Sequence, residues 1–176
     1  MIDLKSCVRT IPDYPKPGIQ FRDVTTLLQN GDAFHETINR IYDKVKERRF
    51  YAVAGIEARG FVLAGPIAWR LNAGLVLIRK ENKLPGRTIG VSYALEYGED
   101  HVEIDVDSFP AGAEILLIDD LIATGGTAMA SVALIRQAGG TVDTAEFIID
   151  LPDLGGSSRL ESAGVHCSSL MQFSGD

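Results

Sequence analysis

The sequence predicts an α/β fold built as a single-domain, open, mainly parallel sheet flanked by helices. Three observations lead there. Short apolar runs alternate along the chain with stretches of helical spacing, which is the pattern of strands joined by crossover helices. The chain has 176 residues, enough for one domain with a sizeable core, and shows no internal repeat, low-complexity tract or linker. One string, ILLIDDLIATGGT from Ile115 to Thr127, runs from a buried-strand pattern through two acids into a hydroxyl-glycine turn.

The elements follow in order. Asp13 to Gly18 (DYPKPG) reads as a proline-rich entry loop. Phe34, Ile38, Ile41, Tyr42 and Val45 recur at helical spacing, so Asp32 to Arg49 is expected to be an amphipathic helix. Tyr51 to Ile56 reads as a short buried strand, followed by Glu57-Ala58-Arg59-Gly60 and a helix to about Leu71, with Trp69 on its apolar face. Gly74 to Ile78 is the next strand. Leu84 to Asp100 carries Gly86, Gly90 and Gly98 and little continuous core pattern, and is expected to be a long loop. Asp105 and Asp107 alternate with Ile104 and Val106, as on the outer face of a strand. The strand Ile115 to Ile118 should end at Asp119 and Asp120. A helix from Ala128 to Ala138, closed by Gly139-Gly140, follows. Strands at Ala145 to Leu151 and Val165 to Leu170 complete the chain.

Composition excludes several functions. A formal net charge of -7 argues against generic binding to nucleic acid or to an anionic membrane. The apolar stretch around Phe61 to Trp69 contains Pro66 and is too short to span a bilayer. Asp3 and Lys5 follow Met1 with no apolar signal core, and Cys7 and Cys167 stand far apart, so a cytoplasmic protein with reduced thiols is expected. His35, His101 and His166 lack partners at metal-ligand spacing and read as ordinary surface or core histidines.

The chemistry concentrates after the central strand. A glycine pair after an apolar strand is common, and two acids at a strand end can be a solvated edge. Together with a following helix they form an anion site at a helix N-terminus. The loop is neither a Walker loop nor the spaced-glycine dinucleotide fingerprint. The acids would be misplaced against a phosphate, so they are expected to face sugar hydroxyls or a metal ion; the combination points to a ribose 5-phosphate. Ligands in such sheets sit beyond the carboxyl ends of the strands. Glu57 to Gly60, Arg79 to Lys83 and the glycine loop should meet there. Arg79, Lys80, Lys83 and Arg87 fall within nine positions of an acidic chain. Such a cluster alone is most simply a solvated surface; beside a phosphate loop it suits a pyrophosphate with its metal ion.

The string Ile115 to Thr127 closely resembles the phosphoribosyl pyrophosphate (PRPP) motif of the type I phosphoribosyltransferases. DYPKPGIQFRD at Asp13 to Asp23, GIEARGF at Gly55 to Phe61, LIRKENKLPG at Leu77 to Gly86 and SYALEYG at Ser92 to Gly98 occur around it. The FRD and LEYG segments are similar to the adenine branch of that family, over nearly the whole chain. Gln20 departs from the usual aliphatic residue before FRD, near the base pocket. Gly90-Val91 falls in a region where such proteins vary.

The resemblance implies the type I phosphoribosyltransferase fold over residues 1–176, with a hood on the base side at about 1–31 and a flexible lid loop at about 84–100. It implies Mg2+-dependent transfer of the phosphoribosyl group from PRPP to adenine, giving AMP and pyrophosphate in purine salvage, by a homodimer. Asp119 and Asp120 would hold the ribose hydroxyls, and Ala123, Thr124, Gly125, Gly126 and Thr127 the 5-phosphate. Ala58, Arg59, Lys80 and Lys83 match pyrophosphate positions, with Arg79 implied across a dimer interface; relatives expose backbone N–H groups at Ala58, sometimes through a non-proline cis peptide. Phe21 would stack on adenine while backbone groups around Arg22 read its edge, Phe21 as plain core being the simpler alternative. Glu96 is the candidate general acid, against the plain reading of an exposed loop residue. No direct protein ligand to Mg2+ is implied; the ion is held through PRPP and water. Two other functions remain open. A phosphoribosyltransferase for hypoxanthine, guanine or xanthine would want a basic residue near the base, whereas Ala145 to Leu151 offers only Glu146 and Asp150. A PRPP-sensing regulator would want a nucleic-acid face or an added domain.

Overall fold

The structure is a computed structural model that describes residues 2–94 and 99–175. Strands β1 (Arg9–Pro12) and β2 (Gln20–Asp23) pair antiparallel as a small separate sheet, with Arg9 opposite Asp23 and Ile11 opposite Phe21. Helices α1 (Thr25–Gln29) and α2 (Gly31–Val45) follow. The Asn30 side chain caps α2 by accepting from the Ala33 N–H at 3.1 Å. This helix stops short of the expected Arg49. Arg48 instead reaches Thr144, Glu114 and Asp143, tying the α2 exit to the amino ends of two strands.

The remaining elements are β3 (Ala52–Ile56), α3 (Arg59–Leu71), β4 (Gly74–Lys80), β5 (Thr88–Ala94), β6 (Glu99–Asp105), β7 (Glu114–Ile122), α4 (Gly126–Gln137), β8 (Thr141–Asp150), α5 (Gly156–Ser162) and β9 (His166–Gln172). Seven strands form one sheet in the order β5-β6-β4-β3-β7-β8-β9. The five from β4 to β9 in that order are parallel, and β5 and β6 add an antiparallel edge. The mainly parallel sheet is therefore as predicted.

Strict alternation builds the core. Every residue of β3 is buried, as expected of a strand covered on both faces. Ala52, Ala54, Ile56, Ile115 and Leu117 face one layer with Leu134 and Ile135 of α4. Val53, Leu116 and Ile118 face the other, with Ile38 and Ile41 of α2 and Leu63 and Ile67 of α3. Among the described residues no helix is long and apolar enough to cross a membrane.

Four expectations need correction. The loop expected over about 84–100 is largely a hairpin, with Thr88 to Ala94 paired in full register against Asp105 to Glu99. Its apolar residues Ile89, Val91 and Tyr93 pack on the core, while Gly90 and Ser92 interleave, so no continuous apolar run marks the strand. Leu95 to Gly98, and Glu96 with them, lie outside the described residues. Second, β6 ends at Asp105, and Asp107 belongs to a turn whose N–H donates to Asp105 Oδ1 at 2.8 Å. Third, β7 does not end at the acids: its pairing with β3 stops at Ile118, but its pairing with β8 runs on to Ile122. Fourth, Trp69 is not on the packed face of its helix; it is 83% exposed. Helix α3 carries two apolar stripes, Leu63-Ile67 inward and Val62-Trp69 outward, and periodicity alone does not choose between them.

Candidate active site

Strand order reverses between β3 and β7, so the carboxyl ends of these neighbours open a crevice. The β3–β7 pairing ends at Ile118, so Asp119 and Asp120 lie on the part of β7 that runs on past β3. Alternation sends the two carboxylates to opposite faces. Asp120 turns toward α3, where it accepts from Arg59 Nε at 2.5 Å. Asp119 turns toward α4 and lines a cavity of about 200 Å³ with Ala123, Thr124, Gly125, Gly126 and Thr127. Burial, with the Asp120 charge beside it, pushes the Asp119 pKa well up. Arg59 loses hydration in this crevice, which favours its neutral form, but the Asp120 hydrogen bond and charge outweigh that and raise its pKa.

The Thr124–Thr127 loop owes its shape to close backbone packing. Gly125 takes φ +80°, a left-handed conformation favourable to glycine, and its carbonyl accepts from Met129 N–H at 2.8 Å to start α4. The loop leans on Gly156 at the start of α5. A Cβ on Gly156 would sit 2.3 Å from the Ala123 carbonyl oxygen and 2.7 Å from the Gly125 nitrogen. Gly156 N–H donates to Ala123 O at 3.0 Å, and Arg159 donates to Thr124 O at 2.8 Å. The Gly155-Gly156 pair and Arg159 are site-supporting residues that the sequence reading missed. The Gly155-Gly156 doublet was visible, but only the fold brings it against Gly125.

On the other side of the crevice, the Glu57–Ala58 peptide is cis and Ala58 is exposed at the start of α3. Glu57 staples this turn to the end of β4: its Oε2 accepts Lys80 N–H at 2.9 Å and Arg79 Nε at 3.3 Å. Burial alone would raise the Glu57 pKa, but those bonds and the charges of Arg79 and Lys83 lower it. Arg79 also donates to the Lys83 carbonyl at 2.8 Å, so the basic segment curls back on β4. Lys80 forms an ion pair with Asp100 and donates to Tyr93 Oη at 3.2 Å. Asp100 and Tyr93, both from the hairpin, were not singled out from the sequence. Their proximity to Lys80 depends on strand register.

Phe21 and Arg22, expected on the base side as part of a hood, lie in β2. Phe21 meets Tyr14 edge-on with ring centroids 5.1 Å apart. The Arg22 side chain points to Thr10 and the C-terminal segment: it donates to Thr10 Oγ1 at 2.6 Å and lies over the Phe173 ring at 4.6 Å. Asp23 anchors the hood, accepting from Thr25 N–H at 2.9 Å and from Arg9 Nε at 3.2 Å. Among the described residues, no group of three or more His, Cys, Asp or Glu is placed to hold a metal ion.

An acid pair beside an anion loop, facing basic residues across a sheet crevice, is the arrangement of an enzyme that holds a sugar phosphate with a second anionic group. Residues 23–158 match the phosphoribosyl transferase domain family. The chain is 55% identical over 174 residues to the adenine phosphoribosyltransferase of Maricaulis maris, covering 99% of both proteins. It is 53% identical over 173 residues to that of Azorhizobium caulinodans, covering 98% of this chain and 97% of the relative. The crystal structure of adenine phosphoribosyltransferase from Thermoanaerobacter pseudethanolicus superposes with a TM-score of 0.92 at 41% identity, over 97% of this chain and 98% of that one. The chain belongs to the phosphoribosyltransferase family, in its adenine phosphoribosyltransferase branch.

Proposed function

We propose that this enzyme transfers the 5-phosphoribosyl group of PRPP to adenine, forming AMP and pyrophosphate, as a cytoplasmic purine-salvage homodimer. The observation that carries the reading is Asp119 lining the same small cavity as the Thr124–Thr127 loop, while the adjacent Asp120 pairs with Arg59. The loop amides and the α4 N-terminus bind the 5-phosphate, and the two carboxylates accept from the ribose hydroxyls. As the glycosidic carbon gains positive charge, those fixed negative groups stabilise it more than they stabilise the ground state. Arg59, Lys80 and Lys83, with the backbone at Ala58, receive the departing pyrophosphate, and Arg79 serves it across a dimer interface. Mg2+ would be held through PRPP and water rather than by protein ligands, and when bound it would neutralise charge on the pyrophosphate beside Arg59, Lys80 and Lys83.

Phe21 stacks on the base and backbone groups around Arg22 read its edge, with residues of about 1–31 forming a hood. The hairpin region of about 84–100 covers the site as a lid and carries Glu96 as the general acid. Strand β8 contains no Lys or Arg, so it offers no donor suited to the six-position oxygen of an oxo-purine. Exposed Val62, Trp69, Leu75 and Leu77 form an apolar face suited to a second copy of the chain.

The test is product formation from PRPP and Mg2+ with adenine, hypoxanthine, guanine and orotate in parallel. AMP from adenine alone supports the proposal. Product from another base retains the PRPP site and overturns the base assignment. PRPP binding without product from any base makes a PRPP sensor the better account.

A further inference from the structure

We propose that Asp100, working with Tyr93, is a positioning residue that fixes the Lys80 ammonium beside the phosphate loop and so prepares both ends of the PRPP site together. The inference rests on the PRPP reading above and extends it to two residues of the hairpin.

Register brings the groups together. Lys80 is opposite Val102 in the β4–β6 pairing, and Asp100 lies two residues from Val102 on the same face. Tyr93 is directly opposite Asp100 in the β5–β6 pairing. The Asp100 carboxylate is held from several directions. One oxygen accepts from Lys80 Nζ and from Tyr93 Oη at 2.9 Å, and the other from the His101 N–H at 2.8 Å. Tyr93 Oη also stands 3.1 Å from Thr127 Oγ1, at the first turn of α4.

Proton counting fixes the sense of these bonds. An ionised carboxylate only accepts, and an ammonium only donates. The single phenolic proton of Tyr93 therefore goes to Asp100, and its oxygen accepts from Lys80 and from Thr127. A continuous chain Thr127–Tyr93–Asp100–Lys80 then joins the loop assigned to the 5-phosphate to the lysine assigned to the pyrophosphate. Burial favours neutral Lys80 and neutral Asp100, yet their mutual bond keeps both charged, raising the lysine pKa and lowering that of the aspartate.

The consequence is preorganisation. A lysine side chain loses considerable rotamer freedom when it is fixed on a ligand, and that loss weakens binding unless it is met beforehand. Asp100 takes one ammonium proton and Tyr93 another, leaving the third for a phosphate oxygen. Because Asp100 is itself tied to the backbone of its own strand, it restrains Lys80 without moving with it.

The test is calorimetric binding of PRPP with Mg2+, alongside KM for PRPP and for adenine. Asp100→Ala is expected to weaken PRPP binding about tenfold while the adenine KM stays within about twofold. Asp100→Glu should recover part of the loss. Tyr93→Phe keeps the ring, so it should give a smaller loss that adds less than fully to that of Asp100→Ala. PRPP binding that is unchanged or tighter in folded Asp100→Ala overturns the proposal, since Asp100 would then merely compete for Lys80. A lowered melting temperature with equal losses for both substrates overturns it too, because the role would be structural. A wild-type chain that binds PRPP but makes no AMP defeats the adenine reading alone, and PRPP binding still judges Asp100; one that binds no PRPP overturns both.

Discussion

Arg59 at the start of α3 and Asp120 on β7 are paired, with Arg59 Nε donating to Asp120 Oδ2 at 2.5 Å. The arginine is half-exposed and the carboxylate almost wholly buried. A carboxylate has room for about four hydrogen bonds, so ribose hydroxyls can join Arg59 rather than replace it. Replacing both acids in Asp119→Asn/Asp120→Asn removes the charge while keeping the shape. We expect a loss of roughly tenfold or more in PRPP affinity, with turnover falling as well. Steady-state kinetics with varied PRPP measure both, and full activity in the double variant would refute the ribose assignment.

The contact between Gly156 and the phosphate loop leads to a second prediction. An added Cβ at Gly156 would lie well inside van der Waals distance of backbone atoms of Ala123 and Gly125, which have no side-chain freedom to yield. Gly156→Ala should therefore shift the loop and destabilise the fold by about 1–3 kcal/mol. Its effect on catalysis should fall on PRPP, with the adenine KM little changed. A wild-type melting profile with wild-type PRPP affinity would show that the loop does not depend on α5 for its shape.

These two sites mark how much could be read from the chain. Buried parallel strands and the helix after Thr127 leave strong local patterns, since a strand covered on both faces must be apolar throughout, as Ala52 to Ile56 is. The acid pair and glycine loop were legible because they are contiguous. What escaped depends on contacts distant in sequence. Gly156 meets Gly125 only after β8 returns the chain, and Asp100 meets Lys80 only through a hairpin whose strands alternate apolar residues with Gly90 and Ser92. Trp69 shows the opposite failure, where a clear helical period was correct and the choice of inward stripe was not.

Asp23 sets the expected response to acid. The Thr25 hydrogen bonds lead in lowering its pKa to about 2, with Arg9 assisting and burial opposing. A depressed carboxylate stabilises the fold above its unfolded pKa of about 4, and that stability is lost as pH falls through the folded value. The contribution is at most about 2 kcal/mol, because Arg9 is half-exposed and screened. Asp23→Asn should melt lower than wild type at pH 7 and lose less stability between pH about 4 and about 2. Parallel melting curves that keep a constant separation down to pH 2 would contradict this.

The outward stripe of α3 bears on assembly. Val62 and Trp69 of α3 and Leu75 and Leu77 of β4 are exposed apolar side chains that a second copy of the chain would cover. Trp69→Glu places a charge there without touching the buried Leu63 and Ile67. Light scattering should show a dimeric wild-type protein and a variant shifted toward monomer. A monomeric wild type at micromolar concentration would exclude this face as a stable self-association surface.

Glu96 lies outside the described residues, so its proposed role rests on the LEYG motif and on chemistry. A purine ring nitrogen that forms or breaks a glycosidic bond needs a group able to hold a proton at the right moment. Glutamine preserves the shape and hydrogen-bonding reach of the side chain but cannot exchange a proton in this pH range. Glu96→Gln should therefore lower kcat by roughly 100-fold, the lower end for a positioned general acid, while the PRPP dissociation constant stays nearly constant. If Glu96 only helped to close the lid, PRPP affinity would fall with kcat, and the alkaline limb of the pH–rate profile, where a general acid loses its proton, would survive in the variant. Loss of that limb with intact PRPP binding separates proton transfer from closure.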